Sequence, residues 1–430
     1  MRIIKDGFVF LIVGLATSTL TISFLPLHSA RIISALSIII ILTILCKKRV
    51  IIKVPGISVF LVILFFVVYS GALTILSNGS DLMFFKKGVS LLFDGFPCAI
   101  LISILLLYKN RFNDHFRDAA FYDFCIYYFW FSVIISITVL MSFLNPEFRA
   151  IAEGLFPAQG NITDSSHPDY LYRVRGILPA TGASASVYFA LGVLLGLIAI
   201  ERLSNGSCFK RLLIVAGFLG LFFAITLNGR TGFVLLLIGL MVFVLYSIYK
   251  VLSKYRVNKV ILLRVSVFSI VAILTIYFLI YPMFGDSEAV YRLVEDVSTI
   301  ISSGGSKGTT GELMKMYFLP VSDIDFLFGD VSTFNSNRIP SDVGYIRVLH
   351  AVGVIGFIIF YTFWFISYLI ILFSSASGRL KVSCFVLVFS MFILELKEPF
   401  FLYLYSSVVL MVPISIYCLS PRIESRANNV

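Results

Sequence analysis

The residues best able to do chemistry in this chain are arginines and a few isolated carboxylates. Arg173, Arg175, Arg230, Arg292, Arg338 and Arg347 lie between long apolar runs or at their ends. A guanidinium fork grips phosphate oxygens in pairs and stays charged at any relevant pH. Several forks converging at one membrane depth would suit a lipid diphosphate. The alternative for each is an interfacial cation that reaches to water. Binding is favoured for two of them. Arg230 sits in the short turn Thr226-Leu-Asn-Gly-Arg-Thr-Gly232, where a charge is costly unless paired or facing a polar cavity. Arg175 opens the small-residue stretch Arg175–Ala185, which permits close backbone approach at a helix end.

Asp342 opens the apolar segment that follows a long polar stretch. It reads either as a helix-start residue favoured by the dipole or as a group that accepts a hydroxyl proton. Tyr345 shares its face at i+3. Arg347 falls roughly 140° away around a helix, so it need not touch Asp342. His350, at i+3 from Arg347, is a candidate catalytic group or a bonded buried imidazole. Glu395 and Glu398 share a face and suggest a carboxylate pair for glycoside hydrolysis. Their neighbours Lys397 and Pro399 favour a structural or arginine-pairing role, and Glu398 stays a candidate binding residue. Asp94, in Phe93-Asp-Gly-Phe-Pro97, is an acid inside an apolar run: an arginine partner, or a break in the helix. The four His do not cluster and no CxxC occurs, so neither a metal site nor a cofactor is expected.

The elements that must position these groups follow from composition. Of the 430 residues, 59% are hydrophobic and 13% charged, with a mean hydropathy of +0.99. Soluble domains carry about 25% charge. This excludes a soluble enzyme, a disordered chain and, despite the net charge of +11, a nucleic-acid-binding domain. The expected fold is all-α, a single polytopic transmembrane domain over 1–430 with about twelve helices. The apolar runs lie near 8–25, 30–46, 57–77, 88–108, 120–143, 185–200, 212–228, 232–249, 264–284, 348–373, 382–396 and 400–419. With the N-terminus inside, the 34 Lys and Arg divide 21 inside to 13 outside. The positive-inside rule then places both termini in the cytoplasm.

Two outside regions are long: residues 145–183, and the larger loop 285–342. In the second, apolar residues at helical spacing predict an amphipathic surface helix over Glu288–Ile301. Ser302–Gly311 reads as a hinge, since a phosphate loop would need Gly-Lys-[Ser/Thr]. A second short helix is predicted over Glu312–Leu319, with Phe326-Leu-Phe-Gly-Asp330 beyond it as a turn.

The segment Asp342-Val-Gly-Tyr-Ile-Arg-Val-Leu-His-Ala-Val-Gly-Val-Ile-Gly356 resembles the one that follows the large periplasmic loop of bacterial O-antigen polymerases. Phe326–Gly329, Asn228–Gly232 and Leu396-Lys-Glu-Pro399 resemble further motifs of that family in the same order. The resemblance implies a GT-C-like membrane glycosyltransferase of the bacterial inner membrane. It would transfer a growing glycan from undecaprenyl diphosphate to the non-reducing end of a lipid-linked repeat unit. Such enzymes are metal-independent and inverting, with no cofactor and with arginines on the diphosphate. Implied partners are the lipid-linked repeat units, membrane lipid and a chain-length regulator, with no nucleic acid. The related O-antigen ligases carry a His-Asn near Ser341–Asp342 and a Glu at the position of Ala351; this chain has neither. The family's arginine-to-glycine loop spacing is not met by Arg173 or Arg175. A flippase for the same lipid-linked sugar is the rival reading, although no convincing internal repeat is present.

Overall fold

A computed structural model describes residues 2–25, 27–46, 50–52, 54–76, 82–157, 173–180, 182–204, 207–229, 231–253, 315–331 and 341–421. Arg230, Arg292 and Arg338 lie outside the described residues, as do the expected helix 288–301, the hinge 302–311 and the apolar run 264–284.

The described chain is helical apart from two three-residue strands. Among the described residues four helical stretches are long and apolar enough to cross a membrane: Met83–Lys109, Phe116–Leu144, Cys208–Asn228 and Gly344–Leu372. Seven shorter apolar helices accompany them. In hydrocarbon each backbone N–H and C=O must be bonded within its own segment, which a helix achieves. The chain is therefore built as a membrane-embedded helical protein.

Two compact units divide the chain. The first comprises Met1–Phe131, Leu195–Arg202 and Met316–Val430. Its elements include α1 (Arg2–Ser18), α2 (Ser29–Cys46), α3 (Val54–Leu76), α4 (Met83–Ser90) and α5 (Phe96–Lys109). A π-helical turn, Leu91–Gly95, separates α4 from α5. Later in the chain come a short helix Asp323–Phe328, a long helix Gly344–Leu372, then Gly378–Leu394 and Leu404–Cys418. Leu404–Cys418 is apolar all round and buried from Tyr405 to Cys418, packed against α5, α1 and α3. This is what a central helix requires.

One end of this unit carries the strands. Val50–Ile52 pairs antiparallel with Leu419–Pro421, with Ile51 opposite Ser420. Nearby polar groups join helices there: Lys109 Nζ bridges Asp6 at 3.2 Å and Asp123 at 3.0 Å, and the Tyr417 hydroxyl donates to Asp118 at 2.8 Å. The other end carries Arg31, Asp94, Ser341–Arg347 and Glu395–Tyr403.

The described part of the 285–342 loop corrects two expectations. Tyr317–Leu319 is not helical, and the Phe326 region is the end of the helix Asp323–Phe328. Leu319 precedes a proline, which disfavours helical backbone. The stretch is instead held by tertiary bonds, with the Tyr317 hydroxyl donating to Leu396 O at 2.7 Å. The helix after it starts at Ser322, whose Oγ accepts from Asp325 N, and ends at Gly329.

The second unit comprises Ser132–Leu194 and Leu203–Lys315. Within the first outside region it contains a helix, Pro146–Leu155, capped by Asn145 Oδ1 on Glu147 N and Phe148 N. Residues 158–172 of that region lie outside the described residues.

Candidate functional site

In the first unit the site is built where Ser341–Arg347 meets Glu395–Tyr403. The helix begins at Gly344, its N-cap is Val343, and no side chain makes a capping bond. Asp342 therefore stands outside the helix, so the expected angular separation from Arg347 does not apply. Arg347 reaches back instead: its Nη2 donates to Asp342 Oδ1 at 2.9 Å, and its Nε donates to Ser341 O. This corrects both the expectation that the pair need not touch and the capping role for Asp342. The Asp342 side chain is 62% exposed and that of Arg347 18%. Two of five guanidinium N–H groups are used in these bonds. The site thus presents an open carboxylate oxygen beside a fixed cation.

Glycine at 344 makes the junction possible. A Cβ there would lie 2.7 Å from Glu398 O and would strike the Glu395 carboxyl. Glu395 is fully buried. Its Oε2 accepts from the Tyr361 hydroxyl at 2.8 Å and its Oε1 from Phe401 N at 2.7 Å. The Tyr345 backbone N–H donates to Glu395 O at 3.3 Å, while its hydroxyl donates to Phe392 O at 2.6 Å. Tyr345 thus turns toward Gly378–Leu394, away from the face expected to hold Asp342. Glu398 Oε2 accepts from Tyr403 at 3.2 Å. Burial pushes the Glu398 carboxyl above its ordinary value, and Asp342 adds to this; Lys397, the Tyr403 hydroxyl and Arg347 oppose it. Glu395 and Glu398 are thus tied to different partners and do not form an open carboxylate pair.

A second junction lies about two turns further along the same helix. Gly353 adopts φ 62°, a conformation that favours glycine, and kinks its helix. Gly329, at φ 82°, packs its backbone against residues 351–353, so that neither position has room for a side chain. The kink leaves carbonyls to be satisfied from elsewhere. His350 O accepts from Asp330 N at 2.7 Å, and Val352 O accepts from the Tyr69 hydroxyl at 3.1 Å. The His350 imidazole bonds Phe318 O at 3.1 Å through Nε2, which must be the donor because a carbonyl only accepts. A cavity of about 410 Å³ lies here, lined by His350, Asp325, Asp330, Phe318 and their neighbours.

The second unit gathers the other motifs. Arg175 is 2% exposed and its Nη1 closes its own turn on Leu178 O at 2.6 Å. Asn228 Nδ2 donates to Val174 O at 2.8 Å, and Gly232 N donates to Ser186 Oγ at 3.1 Å. Gly182, at φ 62°, leaves the space that the Arg173 guanidinium occupies: a Cβ there would lie 2.8 Å from Arg173 Nη1. Arg173, Arg175 and the ends of the Asn228–Gly232 motif are therefore neighbours within this unit, with Arg230 itself outside the described residues.

Sequence reasoning missed the Glu395–Tyr361 bond, whose partners are far apart in the chain. It also missed Arg31 as the partner of Asp94, although a basic residue at the start of an apolar run was a usable signal. Among the described residues no group of three or more His, Cys, Asp or Glu converges on a metal position. No family model matches the chain, and no curated protein or solved structure matches it either. Fold and site define a membrane-embedded helical protein with a polar junction at one end of its first unit.

Proposed function

We propose that the chain is a polymerase of lipid-linked oligosaccharide repeats, of the O-antigen polymerase type, in a bacterial inner membrane. It would have about twelve spans, a GT-C-like arrangement, cytoplasmic termini and a periplasmic site. The observation that carries this reading is the Asp342–Arg347 pair, in the segment that resembles the family most. In the proposed reaction an acceptor sugar hydroxyl attacks the anomeric carbon of the growing glycan. The C–O bond to undecaprenyl diphosphate breaks, and the diphosphate takes the bonding electrons. Asp342 accepts or orients the hydroxyl proton. Arg347 stabilises charge on the leaving diphosphate, where preorganised cations act most strongly. His350 is proposed as a second catalytic group, and Arg173, Arg175, Arg230, Arg292, Arg338, Tyr345 and Glu398 are each proposed as sugar or diphosphate contacts. A diphosphate leaves readily, so a strong base is unnecessary.

Purified protein supplied with lipid-linked repeat units, without added metal or nucleotide, should yield a ladder of longer glycans. A lipid-linked sugar that crosses the bilayer unextended would favour the flippase. Transfer to a lipid A core would favour the ligase.

A further inference from the structure

We propose that His28, Arg31 and Lys87 form a binding site for the phosphate of a lipid headgroup. The cluster lies on α2, on the turn before it and on α4, at the end of the first unit opposite the strands. It rests only on the chain being membrane-embedded, so it stands or falls separately from polymer formation.

The geometry begins with Asp94. The π-helical turn Leu91–Gly95 adds a residue to the local winding, the kind of irregularity that often marks functional positions. Side chains from α2 and its neighbours hold the turn. Ser34 Oγ donates to Phe93 O, and the Cys98 thiol donates to Ala30 O at 3.3 Å. Asp94 is 6% exposed, and its Oδ2 alone takes Arg31 Nε at 3.4 Å, Arg31 Nη2 at 3.3 Å and Ser90 Oγ at 2.8 Å. His28 Nε2 stands 3.9 Å from the same oxygen.

His28 and Arg31 thus face one carboxylate, and Lys87 is close enough to His28 to act on it. Burial lowers the His28 imidazole; Asp94 opposes this, and Arg31 and Lys87 reinforce it. Arg31 and Lys87 together exceed the single charge of Asp94. Lys87 sits over the Tyr403 ring at 5.7 Å and has no carboxylate within ion-pair distance among the described residues. The Arg31 side chain is 49% exposed, with only two of its five N–H groups spent on Asp94. Asp94 therefore fixes the fork without exhausting it. A surplus cation at the end of an apolar helix layer is costly unless an anion meets it. In a membrane the anion at that depth is a headgroup phosphate, which a fork and an ammonium bind by charge-assisted hydrogen bonds.

The test uses the full chain in detergent, with retained lipid measured by native mass spectrometry. The probes are short-chain phosphatidylglycerol, a short polyprenyl diphosphate, a neutral glycolipid and inorganic phosphate. Both phosphate lipids, or one of them, should bind in preference to the glycolipid, and the stronger binder identifies the headgroup. Lys87→Gln leaves the Arg31–Asp94 pair in place and should weaken binding about tenfold. Lys87→Arg should retain it. The double variant Arg31→Gln/Asp94→Asn removes the fork without stranding a buried charge, and should weaken binding again. Arg111→Gln, at the opposite end, should change nothing. The proposal is overturned if Lys87→Gln and the double variant bind as the wild type does, or if Arg111→Gln weakens binding equally. Equal binding of the glycolipid, or of inorganic phosphate, would also overturn it.

Discussion

Arg347 could hold Asp342 for stability or for chemistry, and magnitudes separate the two. An exposed ion pair contributes at most about 1 kcal/mol, and the Asp342 side chain is 62% exposed. Asp342→Asn should therefore leave thermal unfolding almost unchanged while lowering glycan elongation by about 10²–10⁴-fold. Arg347→Lys should keep the charge, lose the fork and elongate only partially; full activity in both variants would remove the pair from the site. Glu398 offers a pH test. Its folded value is raised, so its contribution to stability is complete below about pH 4.3 and is lost as pH rises through the raised value. Glu398→Gln mimics the protonated form and should unfold at a higher temperature than the wild type at neutral pH, with the gap closing in acid. A gap independent of pH would contradict the assignment. Asp342, Arg347 and Glu398 were legible in the chain because charges beside apolar runs are conspicuous. Glu395 was legible as an acid but not as a clasp, because Tyr361 carries no signal that it will meet it.

At the scale of elements, hydropathy located the helices but not their irregularities. The π-helical turn at Leu91–Gly95 holds Asp94, which the sequence already offered as an arginine partner or a break in the helix; the kink at Gly353 lies inside an uninterrupted apolar run, and a sum over residues cannot see a change of winding. Gly329 and Gly353 were noticed as parts of motifs; their mutual backbone approach is a tertiary fact. Gly353→Ala should cost about 1–3 kcal/mol or more, since it combines a positive φ with a blocked approach. Gly154→Ala is the contrast: it lies within the helix Pro146–Leu155 with nothing within 4 Å of a new Cβ. It should be neutral or gain about 0.5–1 kcal/mol. Thermal melts of the two variants in one detergent compare them directly, and equal losses would contradict the crowding at Gly353.

For the whole molecule, charge asymmetry supplied an orientation that the fold can be asked to obey. Reporters fused after Arg111 should be active in the cytoplasm, and those fused after Glu147 on the other side of the membrane. The reverse pattern would invert the proposed topology and move the Asp342 junction away from periplasmic substrates. Class and helix placement were legible because lipid forces backbone bonding to be local. The division into two compact units was not, since it depends on contacts between helices remote in sequence.

The antiparallel pairing of Val50–Ile52 with Leu419–Pro421 also sets an order of events during synthesis. The buried helix Leu404–Cys418 leaves the ribosome long after α5 and α1, yet it packs on both. Until it arrives, the Ser103 hydroxyl bonds only Ala99 O of its own helix, not Val412 O as well, and the early helices have no central partner. Completion of the first unit therefore waits for Leu404–Cys418 to be synthesised. Nascent chains stopped before Leu404 should depend on membrane chaperones and be cleared rapidly by proteases, even when every earlier helix has been inserted.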